Sequence, residues 1–211
     1  YWRFTDTIGF THWMDAALGY GLVLAELYAF AVLLIGYFQT AWPLQRRPVP
    51  MPTDVSTWPS VDVFIPTYNE PLEVVRQTVF SAMSLDWPKD RLHVYVLDDG
   101  RRTEFREFCE ELGVGYLIRD NNHHAKAGNI NAALKVTHSE YIAIFDCDHI
   151  PTRSFLQVCM GWFFKDTNLV MLQTPHVFFS PDPFERNLDT FHRMPNEGEL
   201  FYGIVQDGND L

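Results

Sequence analysis

Five carboxylates, Glu70, Asp98, Asp99, Asp146 and Asp148, sit just beyond short apolar runs, and that placement is what suggests chemistry. The runs are VDVFIP (61–66), HVYVLDD (93–99) and YIAIFDCD (141–148). Their polar ends read Pro66-Thr67-Tyr68-Asn69-Glu70, Asp98-Asp99-Gly100 and Asp146-Cys147-Asp148-His149. If the runs are strands of one parallel sheet, the tips meet at one edge and five like charges share a cleft, which is unfavourable unless compensated. A hard divalent cation relieves it, because Mg²⁺ and Mn²⁺ take oxygen ligands, often one or two carboxylates completed by substrate phosphates. Asp146 and Asp148 suit that task, since on an extended chain residues i and i+2 point the same way.

Taken singly, each of these signals is weak. Asp-Asp-Gly is also the composition of a turn in which the glycine supplies a positive φ, and Asp-X-Asp is common on loops. The combination is more specific: two acidic strand ends with the basic segment Lys126-Ala127-Gly128-Asn129 between them. Lys126 falls at a helix start, where a cation opposes the helix dipole, so an anionic partner accounts for it better than solvent does. Tyr68 has polar neighbours and reads as pocket lining rather than core. His123 and His124 are adjacent, and adjacent side chains seldom ligate one metal, so they are not read as a site.

Strands must position these tips, and the pattern supplies them. Besides the three runs, 114–118 and 169–173 are weaker strand candidates. Helical spacing of apolar positions covers 71–85, 103–112, 127–136 and 154–165, with Thr103 and Thr152 as expected caps. Alternation of this kind predicts an α/β layer with a mostly parallel sheet flanked by helices, in which ligands sit beyond the C-terminal strand ends.

The first part of the chain is different. Residues 16–38 carry one charge, Glu26, and spanning a bilayer core takes about 20 apolar residues. Trp2, Phe10 and Trp13 precede this stretch and Tyr37, Phe38 and Trp42 follow it, as an interfacial aromatic belt requires. A mid-bilayer carboxylate costs about 3 kcal/mol on insertion scales, so Glu26 is expected to face protein or a polar cavity. Arg46 and Arg47 after the helix, against Arg3 before it, place the C-terminal part in the cytosol. Prolines 43, 48, 50, 52 and 59 then forbid a regular helix and mark a linker. The expected organisation is a membrane-interface segment at 1–14, a transmembrane helix at 15–39, a Pro-rich linker at 40–59 and an α/β domain at 60–211.

The formal net charge of −11 argues against a nucleic-acid partner, which needs clustered Lys and Arg. Cys109, Cys147 and Cys159 form neither a disulfide framework nor a zinc pattern and read as free thiols of a reducing compartment. No cleavable signal peptide is expected from the opening Tyr1-Trp2-Arg3.

The stretches PTYNEP (66–71), VLDDG (96–100), HAKAGNIN (124–131), FDCDH (145–149), QTPHVFFSPDPF (173–184) and NEGELFYGIVQDGND (196–210) together resemble the family 2 glycosyltransferases of GT-A fold. The last two resemble the cellulose-synthase-like branch in particular. With the apolar stretch ahead of them, the resemblance covers nearly the whole chain. It implies that Thr67, Tyr68 and Glu70 belong to the uridine side of a donor site, with Asp99 contacting the nucleoside and Asp98 supporting it. It further implies that Lys126 and His149 approach the diphosphate and that Asp146 and Asp148 hold the metal, Mg²⁺ or Mn²⁺. Phe178 and Phe179 would lie on the acceptor side.

The implied activity is inverting, processive transfer from UDP-glucose to a growing β-1,4-glucan. It would occur at a bacterial inner membrane, in a multi-pass protein with lipid contacts, an accessory subunit and regulation by cyclic-di-GMP. The family's Thr-Glu-Asp base motif and Gln-X-X-Arg-Trp acceptor motif do not occur in this sequence. The expectation is therefore an incomplete GT-A domain, its donor and metal half, inactive alone. Two other readings stay open: a synthase of hyaluronan, chitin, mannan or another glucan, and a non-catalytic membrane scaffold that binds a divalent ion.

Overall fold

The structure, a computed structural model, describes residues 6, 12–41, 46–178, 180–190, 192–194 and 197–206. The expectations placed on Trp2, Arg3, Phe10, Trp42, Pro43 and Phe179 lie outside them, as do the ends of the 196–210 stretch. The chain divides into two compact units. One is Arg47–Leu172, and the other comprises the described parts of both chain ends.

In Arg47–Leu172 four strands make one sheet: β1 (Val61–Thr67), β2 (Leu92–Asp98), β3 (Gly115–Leu117) and β4 (Tyr141–Ile144). The order is β3-β2-β1-β4 and every pairing is parallel. All seven residues of β1 are buried, as a central parallel strand demands. Their period of two feeds two cores. Val61, Val63 and Ile65 pack on one face with Val75, Val79, Phe105, Phe108, Leu156 and Met160, while Phe64 packs with Leu97 and Ala133. The first six lie on helices Leu72–Met83, Thr103–Leu112 and Phe155–Lys165, Ala133 lies on the helix Ala125–Ala133, and Leu97 lies on β2 itself. Helices therefore cover both faces. Register matters at the site end: β2 accompanies β1 as far as Thr67, but β4 only from Val61 to Phe64.

The chain steps outward from β1 through β2 to β3, then returns to the other side of β1 as β4. That reversal opens a crevice beyond the C-terminal ends of β1 and β4, where α/β sheets bind ligands. Ahead of the sheet, Val49 lies against the helix Phe155–Lys165 at Gly161, where a Cβ would sit 1.9 Å from the Val49 carbonyl oxygen. The indole of Trp58 donates to the Pro52 carbonyl at 2.9 Å.

Three local expectations are corrected. Residues 169–173 form no strand; Val170 and Met171 are 92% and 77% exposed, so no neighbouring strand pairs with them. Thr103 is the first helical residue rather than a cap, and Arg102 at the cap position makes no side-chain cap bond. Asp98, four residues upstream, accepts from the Arg102 N–H at 2.7 Å instead. Thr152 lends the helix Phe155–Lys165 its carbonyl, at 3.0 Å from the Phe155 N–H, rather than its hydroxyl.

In the other unit, the helix Trp13–Thr40 is the one helix among the described residues long and apolar enough to cross a membrane. Its 28 residues rise about 42 Å at 1.5 Å each. Near the other chain end Pro183–Leu188 begins with a capping box between Asp182 and Glu185. The ring of Phe178 lies 6.2 Å from that of Tyr202.

Candidate active site

The end of β2 is built around two buried carboxylates. Asp98 is fully buried and accepts from the Gly100 N–H at 2.9 Å, the Tyr116 hydroxyl at 2.9 Å and the Arg102 guanidinium at 2.9 Å. Arg102 also donates to the Thr67 hydroxyl at 3.0 Å and to the Glu70 carbonyl, and its guanidinium lies 3.6 Å from the centre of the Phe105 ring. One arginine thus ties the ends of β1 and β2. Burial raises the Tyr116 pKa to about 12, with Asp98 adding to the shift, so the phenol stays a donor.

Asp99 is 6% exposed, and Arg119 grips it as a two-pronged fork, Nε to Oδ1 at 2.6 Å and Nη2 to Oδ2 at 2.6 Å. The hydrogen bonds Arg119 donates to Asp99 raise its pKa above the ordinary value.

Gly100 is required for space rather than for a positive φ, contrary to the turn reading. A Cβ there would stand 2.6 Å from the Tyr68 carbonyl oxygen, and the positive φ belongs to Arg101 at 54°. At the end of β1 the Glu70 carboxylate accepts from the Thr67 hydroxyl at 2.8 Å and the Tyr68 N–H at 2.7 Å. Partial burial, the largest single influence, pushes Glu70 upward. The hydrogen bonds of Tyr68, Thr67, Asn69 and its own N–H together outweigh it, and its pKa is lowered. Tyr68 is half exposed beside them, as a pocket-lining side chain is.

The tip after β4 contrasts with these. Asp146 to His149 form a turn, with the His149 N–H donating to the Asp146 carbonyl at 3.0 Å, and are not the extended stretch expected. The two carboxylates nevertheless face one imidazole: His149 Nε2 lies 3.9 Å from Asp146 Oδ2 and 3.9 Å from Asp148 Oδ1. Lys126, from the first turn of Ala125–Ala133, reaches across to Asp146 Oδ1. The turn is anchored from below, where the Thr78 hydroxyl donates to the Cys147 carbonyl at 2.8 Å. Burial pushes the Cys147 thiol up to about 11, so between its two aspartates it is neither nucleophile nor thiolate ligand at neutral pH.

The structure therefore brings together Thr67, Tyr68, Glu70, Asp98 and Asp99 around the ends of β1 and β2, and Lys126, Asp146, Asp148 and His149 around the end of β4. Much of the charge crowding expected to call for a divalent ion is met by Arg102, Arg119 and Lys126. Two of those three cations, the arginines, were not singled out from the sequence. The signal that could have found them is the burial of the strand that carries Asp98 and Asp99, because a carboxylate taken from water needs a paired cation. Among the described residues no three His, Cys, Asp or Glu side chains group as a metal cage. Asp146 and Asp148, both open to solvent and facing one imidazole, are the residues that could hold an ion completing its shell with phosphate and water.

Residues 62–207 match the model of a known family, Glycosyl transferase family 2. The chain is 68% identical over 211 residues to the cellulose synthase catalytic subunit (UDP-forming) of Pseudomonas fluorescens strain SBW25, matching 100% of this chain and 29% of that protein. It is 65% identical over 210 residues to the subunit of the same name from Xanthomonas axonopodis pv. citri strain 306, again over 100% of this chain and 29% of that protein. The chain thus spans about 29% of the length of these relatives. Among solved structures it resembles the mannosyltransferase PcManGT from Pyrobaculum calidifontis in complex with GDP-Man and Mn²⁺. The TM-score is 0.52 at 26% identity, over 67% of this chain and 42% of that one.

Proposed function

The chain belongs to glycosyl transferase family 2, and from that premise we propose that it is the donor- and metal-binding part of a cellulose synthase catalytic subunit. The whole protein transfers glucose from UDP-glucose to the end of a β-1,4-glucan with inversion at the anomeric carbon. The observation that carries this reading is the pairing of two unlike sites at one sheet edge, a buried carboxylate pair beside β1 and an open Lys126–Asp146–His149–Asp148 cluster after β4. The first suits a nucleoside, which is neutral and needs fixed hydrogen-bonding partners. The second suits a diphosphate, which is anionic and must arrive and leave. Identity of 68% to a protein of that name supports the assignment.

In this reading Thr67, Tyr68 and Glu70 line the nucleoside pocket, with Asp99 presenting a carboxylate to the base and Asp98 holding the strand end in place. Lys126 and His149 meet the phosphates. Asp146 and Asp148 hold a divalent ion, Mg²⁺ or Mn²⁺, which when bound offsets the charge that develops on the departing diphosphate. The helix Trp13–Thr40 anchors the protein in an inner membrane with the α/β unit cytosolic, in keeping with Arg46 and Arg47 beyond its end. The acceptor's base, the glucan channel, an accessory subunit and control by cyclic-di-GMP belong to the whole protein.

The test is UDP binding to the full-length protein with and without Mg²⁺ or Mn²⁺. Asp148→Ala should abolish the metal-dependent part, and unchanged metal-dependent binding would sink the assignment. The resemblance to a GDP-mannose enzyme favours a second reading, a synthase of another polysaccharide. Competition among UDP-glucose, other UDP-sugars and GDP-mannose separates the two.

A further inference from the structure

Arg119 does more than neutralise Asp99. Its donors not engaged by the fork go to the backbone of the turn that precedes Lys126: Nη1 to the His123 carbonyl at 2.6 Å and Nη2 to the Ala125 carbonyl at 2.9 Å. That turn holds two successive residues of left-handed backbone, His124 at φ 62° and Ala125 at φ 43°. Residues other than glycine keep such backbone only where their surroundings enforce it. Gly128 leaves room for the grip, because a Cβ there would stand 2.0 Å from the His123 carbonyl oxygen and 2.4 Å from Arg119 Nη1.

The same two segments are stitched again nearby. Arg101 donates to the Arg119 carbonyl at 2.9 Å and to the Asn122 side chain at 2.8 Å, and Asn122 donates to the Asp99 carbonyl at 3.2 Å.

We propose that Arg119 is a positioning residue that couples the two ends of the donor site: gripping Asp99 and the 123–125 turn together, it sets where Lys126 stands. The proposal rests on the donor-site reading above. A guanidinium fork can make these four bonds at once, and an ammonium cannot, so charge alone does not suffice.

The experiment is a double-mutant cycle on the full-length protein, read as UDP affinity by calorimetry, with thermal unfolding recorded for every variant. Arg119→Lys and Lys126→Ala should each weaken UDP binding by about tenfold, the size of one or two charge-assisted hydrogen bonds. The double variant should stay within about twofold of the worse single one, because Arg119 acts through Lys126. Independent action would instead multiply the losses to about a hundredfold, and that result overturns the coupling.

Gly128→Ala gives a second arm, since it crowds the clasp while leaving Asp99, Arg119 and Lys126 chemically intact. It replaces Arg119→Lys in the cycle if that variant does not fold. A folded Gly128→Ala protein with wild-type UDP affinity also overturns the proposal. Failure of the wild-type protein to bind UDP would strike the donor-site reading itself, whereas normal binding with multiplied losses strikes the coupling alone.

Discussion

The two acidic tips of this sheet look alike in sequence and are built in opposite ways. Asp98 and Asp99 are 0% and 6% exposed, each closed by an arginine from its own surroundings. The Asp146 and Asp148 side chains are 46% and 69% exposed, on a turn whose neighbours are a lysine and an imidazole. An arginine fork fixes geometry, whereas a lysine on a flexible stem trades partners readily. One tip is closed by fixed partners, and the other stands open to solvent.

Stability measurements can break this comparison. The largest effect belongs to Asp98→Ala, which strands the mostly buried Arg102 and should cost about 3–5 kcal/mol in chemical denaturation. A cost near zero would mean that the buried tip is not architecture. Tyr116→Phe removes one hydrogen bond to the same carboxylate and should cost about 1–2 kcal/mol by the same measurement. Asp148→Ala, at the open tip, should change stability by no more than about 0.5 kcal/mol while metal-dependent UDP binding is lost. A large destabilisation there would erase the contrast.

The smallest effect concerns pH. Because the Glu70 pKa is lowered in the fold from its ordinary 4.5, its ionised form adds stability that is complete above that value and lost as pH falls through the lowered one. The melting temperature of the wild-type protein minus that of Glu70→Gln should therefore be flat at neutral pH and shrink only in acid.

Much of this fold was legible because its strands are short apolar runs that end in polar residues. β1, β2 and β4 stand where those runs stand, and the helix Thr103–Leu112 has the bounds its spacing predicts. Residues 169–173 misled because apolar composition marks a strand only when a neighbouring strand is there to pair with it. The helix caps misled for a related reason: Asp98 reaches the start of the next helix across a turn that no local pattern records. Asp146 and Asp148 proved to lie on a turn, yet they still face one imidazole. Arg102 and Arg119 carry no periodicity, and their importance appears only once Asp98 and Asp99 are known to be buried.

The short reach of β4 has a consequence for one residue of β1. In a parallel strand alternate residues turn their backbone groups to alternate neighbours. The Phe64 carbonyl accepts from Phe145 on the β4 side and the Thr67 carbonyl from Asp99 on the β2 side, so Pro66, like Phe64, turns its nitrogen toward β4. β4 has ended by then, and a nitrogen without a hydrogen loses no ladder bond there. A proline in the middle of a sheet is thus tolerated, and it leaves any lengthened β4 one donor short. At Pro66 the β4 side of β1 presents an atom that cannot bond.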